Sequence, residues 1–242
     1  MSKSEGGQKR AQGRTGSFTL AIEGSTYEGN VALLADSAVV AEREIRREEG
    51  SGSRIGMGEQ LMPAVAECLE VGGVKRGEIA RIVCGAGPGS FTSLRVAGSV
   101  AKGLAAGYGV ELFAISSLLL TVAGAKTPLA PGEYLSVLDA MRGEVFAARV
   151  RLQPGGLATQ IEPTSILSSE RLAEVAARDV GVRIIGPGRE IDARPHARGV
   201  LPFLASIVVV GPVDLAAWEL DYGRLAEAQV RWEAAHGRPL VR

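Results

Sequence analysis

In the first part of the chain apolar residues come in short runs of strand length. Phe18-Thr-Leu-Ala-Ile22 reads as a short strand, and Tyr27–Leu34 and Ala38–Ile45 read as two more. Ala35-Asp36 between them suits a tight hairpin, although it is not the favoured Asn-Gly pair. The pattern then changes. Met57, Leu61, Val65, Cys68 and Leu69 recur at helical spacing and predict a helix to about Val71. Pro63 falls inside it and either kinks the helix or marks its real first turn. Gly72-Gly73 stops it. Arg81–Cys84 is the next strand, and a glycine-rich turn leads from it into a helix running to about Gly107. Glu111–Ile115 is a further strand, and Ser116 is a plausible N-cap for a helix to about Gly124.

Pro128–Gly132 reads as a boundary. Beyond it, Tyr134–Leu138 and Glu144–Val150 are two strands around Asp139-Ala-Met-Arg-Gly143. A helix near Glu170–Arg178 and a strand at Val182–Ile185 follow. Gly186-Pro-Gly188 then repeats a Gly-Pro-Gly turn after a strand. The order of elements echoes the first half without a residue-level repeat. Tyr222 to about Ala235 has an amphipathic helical pattern, with Leu225, Ala228, Gln229 and Trp232 three to four apart. The expected division is a disordered tail over residues 1–16, one subdomain over 17–127 and a second over 128–242.

Composition narrows the function classes. Of 242 residues, 46% are apolar, enough for one large core or two smaller ones. The 27 basic and 27 acidic residues cancel, so charge gives no footprint for nucleic acid. The two cysteines, Cys68 and Cys84, read as reduced core residues. No run of roughly 18 apolar residues occurs, and residues 1–16 lack an apolar signal core, so a cytoplasmic protein with no membrane role is expected.

The stretch Cys84-Gly-Ala-Gly-Pro-Gly-Ser-Phe-Thr-Ser-Leu-Arg95 is the most specific feature. Gly85, Gly87 and Gly89 tolerate unusual backbone angles, Pro88 fixes one, and Ser90 or Thr92 can cap the helix. Amides at a helix N-terminus attract anions, so a phosphate site is physically reasonable. Yet the turn lacks the Gly-Lys-Ser/Thr end of a P-loop, the last glycine of a dinucleotide loop, and the Gly-x-Ser-x-Gly elbow of hydrolases. Anion binding and tight packing both remain open readings. The helix after the turn carries Ala97, Gly98, Ser99, Ala101, Gly103, Ala105 and Ala106. Glycine costs about 1 kcal/mol in a helix interior relative to alanine. Two of them suggest that something packs closely, either the protein's own sheet or a helix of another subunit.

Other candidates have ordinary readings beside the chemical ones. Glu23-Gly-Ser-Thr26 could hold a metal through water or touch phosphate; a cap or turn explains it as well. Asp139 and Glu144 could do acid–base work; an exposed turn with a local ion pair to Arg142 is the plainer reading. His196 and His236 follow no ligand spacing, so no metal site and no catalytic residue is expected.

The motif Gly87-Pro-Gly-Ser-Phe-Thr-Ser-Leu-Arg95 closely resembles the hallmark of the bacterial TsaB (YeaZ) family. Leu20-Ala-Ile-Glu-Gly-Ser-Thr26 resembles that family's opening Leu-x-Ile-Asp-Thr-Ser, and Leu61-Met-Pro63 its Leu-Leu-Pro helix. Leu138-Asp-Ala-Met-Arg-Gly-Glu-Val-Phe146 resembles its Asp-Ala-Arg-x-x-Glu-Val-Tyr hairpin, and Tyr222-Gly-Arg224 its Tyr-x-Arg ending. The resemblance runs from Phe18 to the C-terminus.

It implies an α/β protein of the actin/Hsp70/sugar-kinase-like (ASKHA) fold with two related subdomains. It implies a non-catalytic subunit for N6-threonylcarbamoyladenosine formation at adenosine 37 of tRNA. Such a subunit pairs with a TsaD-like catalytic chain, is joined by a TsaE-like ATPase, forms homodimers, and meets tRNA only indirectly, with no cofactor of its own. The expected partner surface is Met57, Leu61 and Val65 on one helix with Arg95, Gly98, Ala101 and Lys102 on the next. The turn Gly87, Pro88, Gly89, Ser90, Phe91 and Thr92 would aim that second helix. Glu23 and Gly24 stand where the family has Asp and Thr, and Ser93 and Ala97 replace usual glycines. The alternative implied by the superfamily is an ATP-dependent small-molecule kinase or ATPase. It would use a residual nucleotide site of Glu23, Ser25, Gly85, Gly186 and Gly188. A metallopeptidase, an activity historically attached to relatives, lacks its histidines.

Overall fold

The computed structural model describes residues 17–45, 57–179, 181–224 and 235–237. The first half forms β1 (Phe18–Glu23), β2 (Asn30–Leu34), β3 (Val39–Glu44), α1 (Met57–Val71), β4 (Ile79–Gly85), α2 (Phe91–Tyr108), β5 (Glu111–Ile115) and α3 (Ser117–Ala123). The second forms β6 (Gly132–Asp139), β7 (Glu144–Leu152), β8 (Ala158–Gln160), β9 (Ser165–Ser168), α4 (Ser169–Arg178), β10 (Arg183–Gly186), β11 (Ile191–Asp192), a 3₁₀ stretch (Ala197–Phe203) and α5 (Leu204–Val210).

The two sheets share one topology. The first has the order β3-β2-β1-β4-β5, and the second β8-β7-β6-β10-β11, with β9 also paired to β7. In each, an antiparallel meander is extended on its first strand's free side by parallel strands. The halves are thus related as the sequence order suggested, and Gly87-Pro-Gly89 and Gly186-Pro-Gly188 follow equivalent strands. They differ between those strands and the next: α2 intervenes in the first half, whereas a short turn leads directly to β11 in the second.

Alternation along the first sheet's strands explains its layers. Leu20 and Ile22 on β1, Val31 and Leu33 on β2, and Ile82 and Cys84 on β4 face α1 and α2. Their neighbours Ala21, Ala32, Leu34 and Val83 face the other way, into a core shared with α3, the 3₁₀ stretch and the second sheet. Both faces are covered, so the strands are apolar nearly throughout. A third cluster, Leu135, Val137, Val145, Ala147 and Leu172, packs α4 on the outer face of the second sheet.

Several local expectations change. Pro63 lies inside α1, which begins six residues earlier at Met57, so it does not mark the first turn. Its exposed position lets water replace the ladder hydrogen bond that its ring removes. Residues 35–38 form a four-residue hairpin turn, closed by Ala35 N donating to Ala38 O at 2.9 Å. Ser90 and Ser116 precede α2 and α3 as N-caps, but neither side chain makes the capping hydrogen bond. Ser90 Oγ instead donates to Ser93 Oγ at 3.1 Å. Tyr222–Arg224, expected to open a C-terminal helix, are not helical; residues 225–234 lie outside the described residues. Strands β8, β9 and β11 and helix α5 had no clear periodic signal, being two to seven residues long.

Candidate functional site

The motif turn is built from its glycines. A β-carbon on Gly89 would come within 2.2 Å of the Ser25 carbonyl oxygen, and one on Gly87 within 2.0 Å of the Asp221 carbonyl oxygen. Gly87 also has φ +97°. Three amides in and just before the turn are engaged. Ala86 N donates to Ile115 O (2.8 Å), Gly87 N to Ser117 Oγ (3.1 Å) and Ser90 N to Ser25 O (2.7 Å). Of the two readings open for this turn, close packing is the one the geometry favours.

The residual nucleotide site divides. Glu23, Ser25 and Gly85 come together at the ends of β1 and β4, while Gly186 ends β10 in the second subdomain and Gly188 lies in the turn after it. Glu23 is fully buried. Ser25 N donates to its Oε1 at 2.6 Å, and Ser117 Oγ donates to Oε2 at 3.0 Å. Burial pushes its carboxyl above the usual carboxylate range, against the opposing hydrogen bonds from Ser25, Ser117 and Gly24. A β-carbon on Gly85 would fall 1.9 Å from Glu23 Oε2. The carboxyl therefore fills the space above Gly85. A nucleotide phosphate with its metal, as the fold family implies, does not fit these residues as they stand. Gly186 is closed in the same way, with a β-carbon 2.3 Å from the Val137 carbonyl oxygen.

A cleft of about 1160 Å³ separates the two subdomains on the motif side. It is lined by Ser25–Glu28, Gly89–Thr92, the β6–β7 turn, Phe146, Ile166, Pro187, Arg194, Tyr222 and Arg224. Tyr27, Phe91 and Met141 are exposed there. Met141 and Arg142 hold left-handed backbone angles, φ 64° and 59°, and Asp139 Oδ1 accepts from Met141 N at 2.8 Å. Glu144, at the start of β7, pairs with Arg224. Among the described residues no three His, Cys, Asp or Glu side chains gather as a metal set, and no helix is long and apolar enough to cross a membrane.

Five of the seven residues expected at a partner surface are buried inside the chain: Met57, Leu61, Val65, Gly98 and Ala101. The periodicity located both helices, but the residues it selected lie mostly on the core-facing side of each. The reason lies outside both helices. Met57, Leu61, Val65 and Ala101 pack into the core against the first sheet, and the segment from Pro212 to Tyr222 covers Gly98 and Lys102 on α2. A β-carbon on Gly98 would come within 2.8 Å of Leu220 Cδ1. Lys102 Nζ donates to Trp218 O at 2.6 Å and lies 5.6 Å from the centre of the Trp218 ring. Arg95 alone of the seven is exposed, its guanidinium 5.3 Å from the centre of the Phe91 ring. The outward side of the pair carries Met62, Pro63 and Ala66 on α1 and Arg95, Ser99, Gly103 and Ala106 on α2. Nothing lies within 4 Å of a β-carbon added to Gly103. Ser117, Leu220, Asp221 and Arg224 carried no recognisable signal as contacts, because each acts on residues far away in sequence.

Two sheets of matching topology around a cleft, with helices on their outer faces, define the actin/Hsp70/sugar-kinase-like class. The sequence model of the TsaD family, tRNA N6-adenosine threonylcarbamoyltransferase, matches residues 57–177, half the chain. The chain is 30% identical to the tRNA threonylcarbamoyladenosine biosynthesis protein TsaB of Escherichia coli K12 over 155 residues, 64% of each chain. It is 25% identical to the Bacillus subtilis 168 protein of the same name over 229 residues, 88% of this chain and 96% of that one. The solved structure of YeaZ from Pseudomonas aeruginosa superposes with a TM-score of 0.67 at 24% identity, covering 83% of this chain and 97% of that one. The chain belongs to the TsaB (YeaZ) family.

Proposed function

We propose that this protein is a non-catalytic subunit for forming N6-threonylcarbamoyladenosine in tRNA in the cytoplasm. It acts by pairing with a TsaD-like catalytic chain, and a TsaE-like ATPase joins the pair. The names of its relatives support the pathway. The observation that carries the non-catalytic role is the Glu23 carboxyl, buried over Gly85 and engaged by Ser25 N and Ser117 Oγ at the end of β1. The docking face in this reading is the outward side of α1 and α2, centred on Met62, Ser99 and Gly103, with Arg95 at its edge. The same face serves self-association. Gly103 suits it, because its bare backbone lets a partner helix approach where no side chain of this chain intervenes. Contact with tRNA is left to the catalytic partner.

Mixing the protein with a TsaD-like chain should give a complex by size-exclusion chromatography with light scattering. Gly103→Arg should abolish the complex without lowering the melting temperature. Absence of a complex with the native sequence sinks the proposal. So does calorimetry in which the isolated chain binds Mg-ATP at micromolar level with turnover lost in Glu23→Ala.

A further inference from the structure

Tyr222-Gly223-Arg224 plays no part in the function just proposed, yet it stands where the two subdomains meet across the cleft. The chain reaches it over the first subdomain. Val213 N donates to Leu112 O at 2.8 Å, Leu220 covers Gly98, and Asp221 N donates to Ala86 O in the motif turn at 2.8 Å. Asp221 Oδ1 then accepts from Gly223 N at 2.7 Å, which bends the chain toward the second subdomain.

Each of the next three residues makes a contact of different chemistry. The Tyr222 ring packs on Phe91, the first residue of α2, with ring centres 4.7 Å apart and planes at 42°. Gly223 has φ +68°, and a β-carbon there would come within 2.3 Å of the Phe146 ring on β7. Only glycine satisfies both conditions. The Arg224 guanidinium pairs with Glu144 at the start of β7. One end of the tripeptide thus holds the motif turn and α2, and the other holds the β6–β7 hairpin.

We infer that Tyr222-Gly223-Arg224 is a clamp that fixes the opening of the inter-subdomain cleft. The shared core around α3 joins the sheets on one side of the molecule. The cleft lies on the other, and two lobes joined along one side are free to hinge unless the open side is also tied. The clamp supplies such a tie and closes one wall of the cleft; on the opposite rim the Tyr27 hydroxyl meets Met141 Sδ at 3.9 Å and Arg194 pairs with Glu28. It also links the position of α2 to that of the hairpin.

The test uses the full chain. Spin labels on Glu70→Cys in α1 and Ala176→Cys in α4 report the distance between subdomains; both sites are exposed, whereas the native Cys68 and Cys84 are buried. The otherwise unchanged chain should give one narrow distance distribution. Tyr222→Ala and Arg224→Gln should each broaden it. They should also raise amide exchange in residues 140–143 and 86–91 by about tenfold, without loss of overall fold. Tyr222→Phe keeps the ring contact and should behave as the native sequence. Glu144→Gln should match Arg224→Gln, with no further change in the double variant. Distance distributions and exchange rates unchanged in both Tyr222→Ala and Arg224→Gln overturn the clamp.

Discussion

Ser117 Oγ, at the first turn of α3, donates a hydrogen bond of 3.0 Å to the carboxyl of Glu23, 94 residues earlier at the end of β1. The same hydroxyl accepts from Gly87 N at 3.1 Å, so one serine ties the first strand, the motif turn and the central helix together.

The buried Glu23 carboxyl sets a pH dependence. Burial raises its folded-state pKa above the ordinary 4.5, so the folded protein holds a proton that the unfolded chain releases. Below 4.5 both states are protonated and the term vanishes. Above it, stability falls with rising pH until the folded pKa is passed, by at most about 1.4 kcal/mol per pH unit. Glu23→Gln removes this term. The variant should gain in melting temperature over the native protein as pH rises from 4.5 to 8, and the gap should close on the acid side.

Gly85 and Glu23 compete for one space. Gly85→Ala should destabilise the protein by about 2 kcal/mol in denaturant melts, since its methyl would displace a buried carboxyl from its hydrogen bonds to Ser25 N and Ser117 Oγ. In Glu23→Ala the same Gly85→Ala substitution should cost much less. The double-mutant cycle measures the coupling, and purely additive losses would contradict the packing described.

Gly98 separates an effect on this chain from an effect on its partners. Gly98→Leu would drive into Leu220 and lift the 212–222 segment off α2, at a cost of about 1–3 kcal/mol. Limited proteolysis should then cut within residues 212–222. Leu220→Ala should lessen the effect of a Gly98→Val substitution. A loss of partner binding in Gly98→Leu would therefore act through the displaced segment rather than through a direct contact.

His196 is buried, and its imidazole pKa is lowered from 6.5 to about 4, first by burial and then by the Arg198 guanidinium, with Glu44 opposing. Its Nδ1 accepts from Arg198 N at 3.1 Å at the start of the 3₁₀ stretch. The unfolded chain takes up the proton first, so stability is lost as pH falls from 6.5 toward 4. The loss is at most about 3 kcal/mol. His196→Asn keeps an acceptor at the same place and should flatten that acid limb in thermal melts from pH 7 to 4.

The extent to which sequence revealed the molecule follows the range of the interactions involved. The short apolar runs between Phe18 and Leu34, the helical spacing of Met57–Cys68 and the glycine turn before α2 are local signals, because each is carried by neighbouring residues within one strand, helix or turn. They were enough for the α/β class, and the linear motifs around Gly87–Arg95 were enough for the family. The covering of Gly98 and Lys102 on α2 was decided elsewhere, by Leu220 and Trp218, more than 100 residues along the chain. The fate of Glu23 was likewise decided by Gly85 and Ser117. A carboxylate next to a glycine turn reads as a ligand for metal or phosphate in one dimension; only packing β1 against β4 and α3 turns it into the group that fills the site. Periodicity records that a residue is buried, whereas the identity of what buries it is a property of the tertiary fold alone.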